Sequence, residues 1–168
     1  MAYDHVGNLV SVDGPLSGTD DTVRFRYNAN RERIGTVGPD PDGAGSLQRR
    51  AERATVAATG LVTGVERGTV AGTSDSDWAA FSSLEAVETS HDSARRPVVT
   101  RLTAGGTTYA LTQTSYDAAG RPQCAAVRMN PAEFASLPSS ACTLDTEAAS
   151  APTGSSRAST TRRAGWLG

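Results

Sequence analysis

Two histidines, two cysteines and a few close-set acids are the side chains of this sequence that could do chemistry. Histidine is the commonest general base, but that role needs a nucleophile or a labile proton within hydrogen-bond reach, and neither His5 nor His91 lies in a motif that supplies one. His5 falls inside a turn-like stretch, "YDHVGNL", and His91 stands where a related segment carries tyrosine, so both have structural explanations. Asp75 and Asp77 lack the further carboxylates and the glycine of a calcium loop and read better as helix-capping acids, while Asp40 and Asp42 belong to the turn "PDPDG". Cys124 and Cys142 have no histidine nearby, so zinc is not expected. In an oxidising compartment the two cysteines would join and close a loop of nineteen residues; in a cytosol they would stay thiols. There is no Gly-x-Ser-x-Gly elbow, no lysine for a phosphate loop and no His-Glu-x-x-His, so catalysis, cofactors and metals are not expected.

The elements that hold these residues are turn-rich. The chain has 168 residues with 17 Gly and 8 Pro, and only 5% are aromatic, which disfavours a large core and favours short strands joined by tight turns. A formal net charge of -2 gives no reason to expect nucleic acid or an anionic membrane as partner. Arg49, Arg50 and Arg53, with Glu52 among them, read as a solvated edge, because no aromatic residues interleave them for base stacking. The opening residues carry no secretory signal, and no apolar run is long enough to span a bilayer.

One pattern dominates. Setting "ETSHDSARRP" (88–97) over "QTSYDAAGRP" (113–122) leaves six of ten positions identical, and the same frame recurs as "YDHVGNL" at Tyr3, "YNANRER" at Tyr27 and "VAATGLV" at Val56. Units therefore begin near residues 3, 27, 56, 91 and 116. Within a unit, Asp or Asn at the head of a turn can accept from backbone N–H groups two residues on, and Gly three positions later tolerates the positive φ that closes a bulged hairpin. The positions that define the pattern are Tyr3, Asp4, Gly7, Tyr27, Asn28, Gly60, His91, Asp92, Tyr116, Asp117, Gly120 and Arg121. Arg31 and Arg95 replace the turn glycine, which predicts distorted or open turns there, since a non-glycine residue at positive φ costs about 1 kcal/mol. "TTYALTQTSY" (107–116) alternates as a half-buried strand with Tyr109, Leu111, Gln113 and Ser115 on one face, and Gly105-Gly106 supplies the opposite turn.

Tyr-Asp-x-x-Gly-Arg units at roughly this spacing resemble the YD repeats of the RHS (rearrangement hotspot) repeat family, over residues 2 to about 144. The resemblance implies an all-β fold, tandem antiparallel β-hairpins forming a curved sheet strip. It also implies a structural role: proteins of the family wind such strips into a hollow shell around a C-terminal segment, often a toxin, in secreted or cell-surface bacterial systems. The implied partners are neighbouring RHS repeats of a longer chain and an encapsulated C-terminal segment. The alternatives are a cell-surface module that binds carbohydrate or protein through exposed tyrosines (Tyr3, Tyr27, Tyr109, Tyr116), and a non-functional gene remnant.

Two short helical insertions are expected. Near 76–88, Ser76 or Asp77 caps a helix with Trp78, Phe81, Leu84 and Val87 near one face; near 131–137, Asn130 caps a helix that begins at Pro131 and ends by Pro138. Beyond Leu144 the pattern stops. Residues 145–168 are expected to be disordered by composition, or frameshifted, because residues 158–166 back-translated with GC-rich codons can read Val-Tyr-Asp-Ala-Ala-Gly-Trp-Leu in one shifted frame.

Overall fold

A computed structural model describes residues 1–43 and 45–144; the expectation for the tail, 145–168, lies outside the described residues. The described chain is antiparallel β-sheet with very little helix, and it divides into two compact units, the first Met1–Ala86 and the second beginning at Val87. No helix among the described residues is long and apolar enough to cross a membrane.

In the first unit, β1 (Ala2–Tyr3), β2 (Leu9–Val12), β3 (Val23–Tyr27), β4 (Arg33–Val37), β5 (Arg49–Val56) and β6 (Val62–Val70) lie side by side in sequence order, each antiparallel to the one before. Such a meander needs only local connections, which is why turn chemistry alone can specify it. The strands carry few large apolar residues, and the core is correspondingly small: Val37, Ala51 and Val70 are buried, with Trp78 and Phe81 packed over them.

Those two aromatics come from α1 (Asp75–Ala79) and the residues just after it. A single helical turn is too short to persist alone. Here it is held by a capping box, with Ser74 Oγ accepting from the Asp77 N–H at 3.1 Å and Asp77 Oδ2 accepting from the Ser74 N–H at 3.0 Å. Arg26 of β3 ties the same loop down, donating to the carbonyls of Thr73 and Ser74, each at 2.8 Å, and laying its guanidinium 5.3 Å from the Trp78 ring centroid. Gly35 makes room for the indole, since a Cβ there would lie 2.2 Å from Trp78 Cη2.

The helix expected over 76–88 is corrected by this arrangement. It spans 75–79, its N-cap is Ser74 and not Ser76 or Asp77, and the chain continues as β7 (Ser82–His91). Trp78 and Phe81 do share a packing face, 5.8 Å apart and edge-on, but Leu84 is exposed, so the helical spacing stops describing burial after Phe81. The extended alternative wins because β6 lies beside β7 in the strand order, and a ladder satisfies the backbone of a ten-residue segment that a marginal helix would leave half-solvated. Arg49 and Arg53 are likewise not at a solvated edge. β5 is flanked by β4 and β6, Arg49 pairs with Asp40 at 2.8 Å, and Arg53 pairs with Glu66 at 2.8 Å while stacking on Phe81.

The second unit takes the end of β7, from Val87, followed in order by β8 (Pro97–Ala104), β9 (Thr107–Tyr116) and β10 (Pro122–Arg128). Gly105 and Gly106, both at positive φ, turn β8 into β9. Leu111 and Gln113 of β9 are buried and Ser115 is half-buried, but Tyr109 stands 67% exposed. The cause is a bulge: Thr108 and Ala110 pair with the adjacent residues Thr103 and Leu102, so Tyr109 is the extra residue and leaves the buried face. The helix expected over 131–137 reduces to a 3₁₀ turn at Pro131–Glu133, capped by Asn130 Oδ1 accepting from the Ala132 N–H at 3.2 Å, and ended at Phe134.

After that turn the chain folds back over β9 and β10. Gln113 Nε2 donates to the Pro138 carbonyl at 2.7 Å, the Ala141 N–H donates to Ser115 Oγ at 2.8 Å, and Cys124 is disulfide-bonded to Cys142. Arg128, 2% exposed, is satisfied by Gln113 Oε1 and by the carbonyls of Ser140 and Thr143. A buried cation survives only when its donors are matched in this way.

Candidate functional site

The feature that recurs is the turn that follows β1, β3, β5, β7 and β9. Tyr3, Tyr27, Val56, His91 and Tyr116 are each the last residue of their strand, and the next residue heads the turn. The N–H of that residue donates to the carbonyl four positions on: Asp4 to Asn8, Asn28 to Glu32, Ala57 to Leu61, Asp92 to Arg96 and Asp117 to Arg121, all between 2.8 and 3.0 Å. A second bond closes each turn, from the N–H of Gly7, Arg31, Gly60, Arg95 or Gly120 back to the carbonyl of its turn-head residue. All five of these donors have positive φ, from 65° at Arg95 to 87° at Gly7. The turns at Arg31 and Arg95 are therefore neither distorted nor open: the hydrogen bonds hold the arginines in the left-handed region, and the strain is absorbed without changing the turn.

Four of the five turns add a side-chain clasp. Asp4, Asn28, Asp92 and Asp117 each use Oδ1 to accept two backbone N–H groups, from the residues two and four positions on, at 2.8 to 3.0 Å. The other terminal atom of the head residue meets the side chain at the fourth position. Asp4 Oδ2 accepts from Asn8 Nδ2, Asp92 Oδ2 and Asp117 Oδ2 accept from Nε of Arg96 and Arg121, and in the second turn the polarity reverses, with Asn28 Nδ2 donating to Glu32 Oε2. Donor and acceptor exchange together, so the pair is preserved although neither residue is.

These contacts set the charge state of the heads. The Arg96 side chain, then its N–H, holds the Asp92 carboxyl below the ordinary range, and the Arg121 N–H and side chain do the same for Asp117. At Asp4 burial pushes upward, but the Asn8 and Val6 hydrogen bonds outweigh it and the carboxyl is again lowered.

The tyrosine before the turn has its own task. Tyr27 Oη donates to the Leu9 carbonyl at 3.0 Å and Tyr116 Oη to the Pro97 carbonyl at 2.9 Å. Leu9 and Pro97 occupy the same place, five residues past the preceding turn's head, so each tyrosine fastens its unit to the one before. Arg96 of that preceding turn lies 4.4 Å from the Tyr116 ring centroid. The sequence reading missed the clasp partners Asn8, Glu32 and Arg96 and the tyrosine hydroxyl bonds. The complementary types at the first and fifth turn positions were a usable signal for the former, whereas nothing local encodes the latter.

A groove of about 440 Å³ on the second unit is lined by Asp92, Arg96, Gln113, Ser115, Tyr116 and Ser140 among others. Its polar groups bond one another: Arg96 to Asp92, Gln113 to Pro138, and Ser115 to Ser140. His5 lies within the first turn, and His91 ends β7 with Nδ1 buried and without a hydrogen bond. No group of three or more potential metal ligands occurs among the described residues. Against models of known protein families and against curated proteins, the sequence finds no match.

Proposed function

We propose that this chain is a structural repeat scaffold of the YD-repeat type, a segment of an RHS-type shell whose task is to form wall around a C-terminal toxin or effector segment. The observation that carries the reading is the five-fold recurrence of one turn, with the same backbone bonds on dissimilar residues, together with tyrosines that fasten one unit to the one before. Side chains conserved within a chain for bonding their own backbone are spent on architecture and leave little for a substrate. The same spending weighs against a tyrosine-lined carbohydrate site, because the hydroxyls of Tyr27 and Tyr116 are engaged by carbonyls.

Electron microscopy of the complete product of the gene, purified as expressed, tests this. The scaffold reading expects hollow particles walled by strand strips, secreted or at the cell surface. A compact product without a cavity would overturn it. A glycan array with the whole chain is expected to be silent; saturable binding lost in Tyr109→Ala would move the assignment to a surface binding module.

A further inference from the structure

Two turns of this chain are near-identical in sequence and bonding but differ in what covers them. At Asp92-Ser-Ala-Arg-Arg96-Pro97 the Arg96 side chain pairs with Asp92, lies against the Tyr116 ring and is 32% exposed, and the Pro97 carbonyl accepts the Tyr116 hydroxyl. At Asp117-Ala-Ala-Gly-Arg121-Pro122 the Arg121 side chain pairs with Asp117 in the same way but is 79% exposed. Pro122 begins β10, as Pro97 begins β8, and β10 is the last strand in the order among the described residues. At the other end β1 is the first strand, and Tyr3 is 62% exposed, its hydroxyl meeting no hydrogen-bond partner among the described residues.

The geometry points to an interaction surface made of the Arg121 guanidinium and the Pro122 carbonyl, built to take a strand-ending tyrosine, with Tyr3 of a second copy of this chain as its occupant. The inference rests on the recurring unit that also supports the scaffold reading. The hydroxyl-to-carbonyl contact already exists twice within the chain, as Tyr27 on Leu9 and Tyr116 on Pro97, and in the second the ring also lies against an arginine, Arg96. In the first of these, β2 and β3 pair with Ser11 opposite Arg24, a register that, continued by two residues, sets Leu9 opposite Arg26, one residue before the tyrosine. Transferred to the ends, β10 of one copy pairs with β1 of the next, Pro122 falls opposite Ala2, and Tyr3 reaches the Pro122 carbonyl while its ring covers Arg121. Residues 145–168 contain no tyrosine, so that stretch does not supply this group. Apolar side chains exposed near both edges, Met1 and Val6 beside β1 and Val127 and Met129 at the end of β10, gain burial in the same pairing. A head-to-tail contact of this kind joins unlike surfaces and propagates from copy to copy.

Sedimentation velocity of the whole chain from about 1 µM to about 1 mM tests the contact. Concentration-dependent growth beyond the monomer is expected. Tyr3→Phe should weaken association about fivefold, the worth of one hydrogen bond, and Tyr3→Ala or Arg121→Lys about tenfold or more by removing the stacked pair. Tyr109→Phe, at a similarly exposed tyrosine outside the five repeated turns, should leave association unchanged. A chain that stays monomeric throughout, or one whose association ignores Tyr3→Ala and Arg121→Lys, overturns the inference. Either result leaves the intrachain contacts of Tyr27 and Tyr116, and with them the scaffold reading, to stand or fall on their own measurement.

Discussion

At the scale of single residues, the turn-head carboxylates carry the clearest pH dependence. Asp92 and Asp117 titrate below their ordinary value in the folded chain, so their contribution to stability is fully present above about pH 4 and is lost as pH falls through their lowered folded values. Urea titrations between neutral and strongly acid pH should show this loss, and it should be smaller in the double variant Asp92→Asn, Asp117→Asn, which keeps an Oδ1 acceptor but cannot titrate. The third turn offers a gain. Ala57 and Leu61 already hold the backbone bonds of the unit but have no clasp. Installing one with Ala57→Asp and Leu61→Arg should stabilise the chain by about 1 kcal/mol, read as a rise in the urea midpoint, with most of the gain present in Ala57→Asp, which alone supplies the acceptor for the backbone, and little in Leu61→Arg. These positions are legible in the sequence alone, because Asp and Asn at a turn head have a local reason to be there. That Arg31 and Arg95 sit in intact turns was not legible. Local sterics predict strain at positive φ, and only the two hydrogen bonds that enclose the residue show that the strain is outvoted.

Elements are decided by what lies against them. Gly35 and Gly64 are both strand glycines, yet a Cβ at Gly35 would meet the Trp78 ring at 2.2 Å, while one at Gly64 would touch Thr55 at an ordinary 3.6 Å. Gly35→Ala should therefore cost about 1–3 kcal/mol by displacing the indole from its seat, and Gly64→Ala should cost less than half as much; thermal melts of the two variants check this. The segment 129–144 is held by the disulfide and by Arg128. Replacing both cysteines by alanine should cost about 3 kcal/mol in the chain-entropy account of a loop this size, and reduction of the native chain should lower the midpoint by a similar amount without abolishing the signal of the first unit. The strand character of 107–116 could be read from its alternation. The helix expected over 76–88 could not be corrected from sequence, since Trp78, Phe81, Leu84 and Val87 satisfy a helical period by coincidence, and the neighbouring strand that takes over from Ser82 is a tertiary fact. Tyr109 misleads for a similar reason: a bulge shifts the period by one residue and no residue type in the stretch announces it.

The whole molecule is built of units that repeat and of tyrosines, Tyr27 and Tyr116, that fasten two of them to their predecessors. The units were visible as a sequence pattern, whereas the fastening joins a side chain to a carbonyl 18 or 19 residues earlier and becomes visible only in the fold. The same register shift recurs beside Tyr3, Tyr27, Val56 and Tyr116, where one residue of the following strand is left unpaired, so the bulge belongs to the unit as much as the turn does. Amide hydrogen exchange on the intact chain, native and Tyr116→Phe, tests this most directly. The account predicts slow exchange at the turn-head amides of Asn28, Ala57, Asp92 and Asp117 alike, and in Tyr116→Phe a selective loss of protection in β8, the strand of the preceding unit, with β3 to β6 unchanged. Turn-head amides that exchange as in an unfolded chain, or a variant whose β8 is as protected as in the native protein, would contradict it.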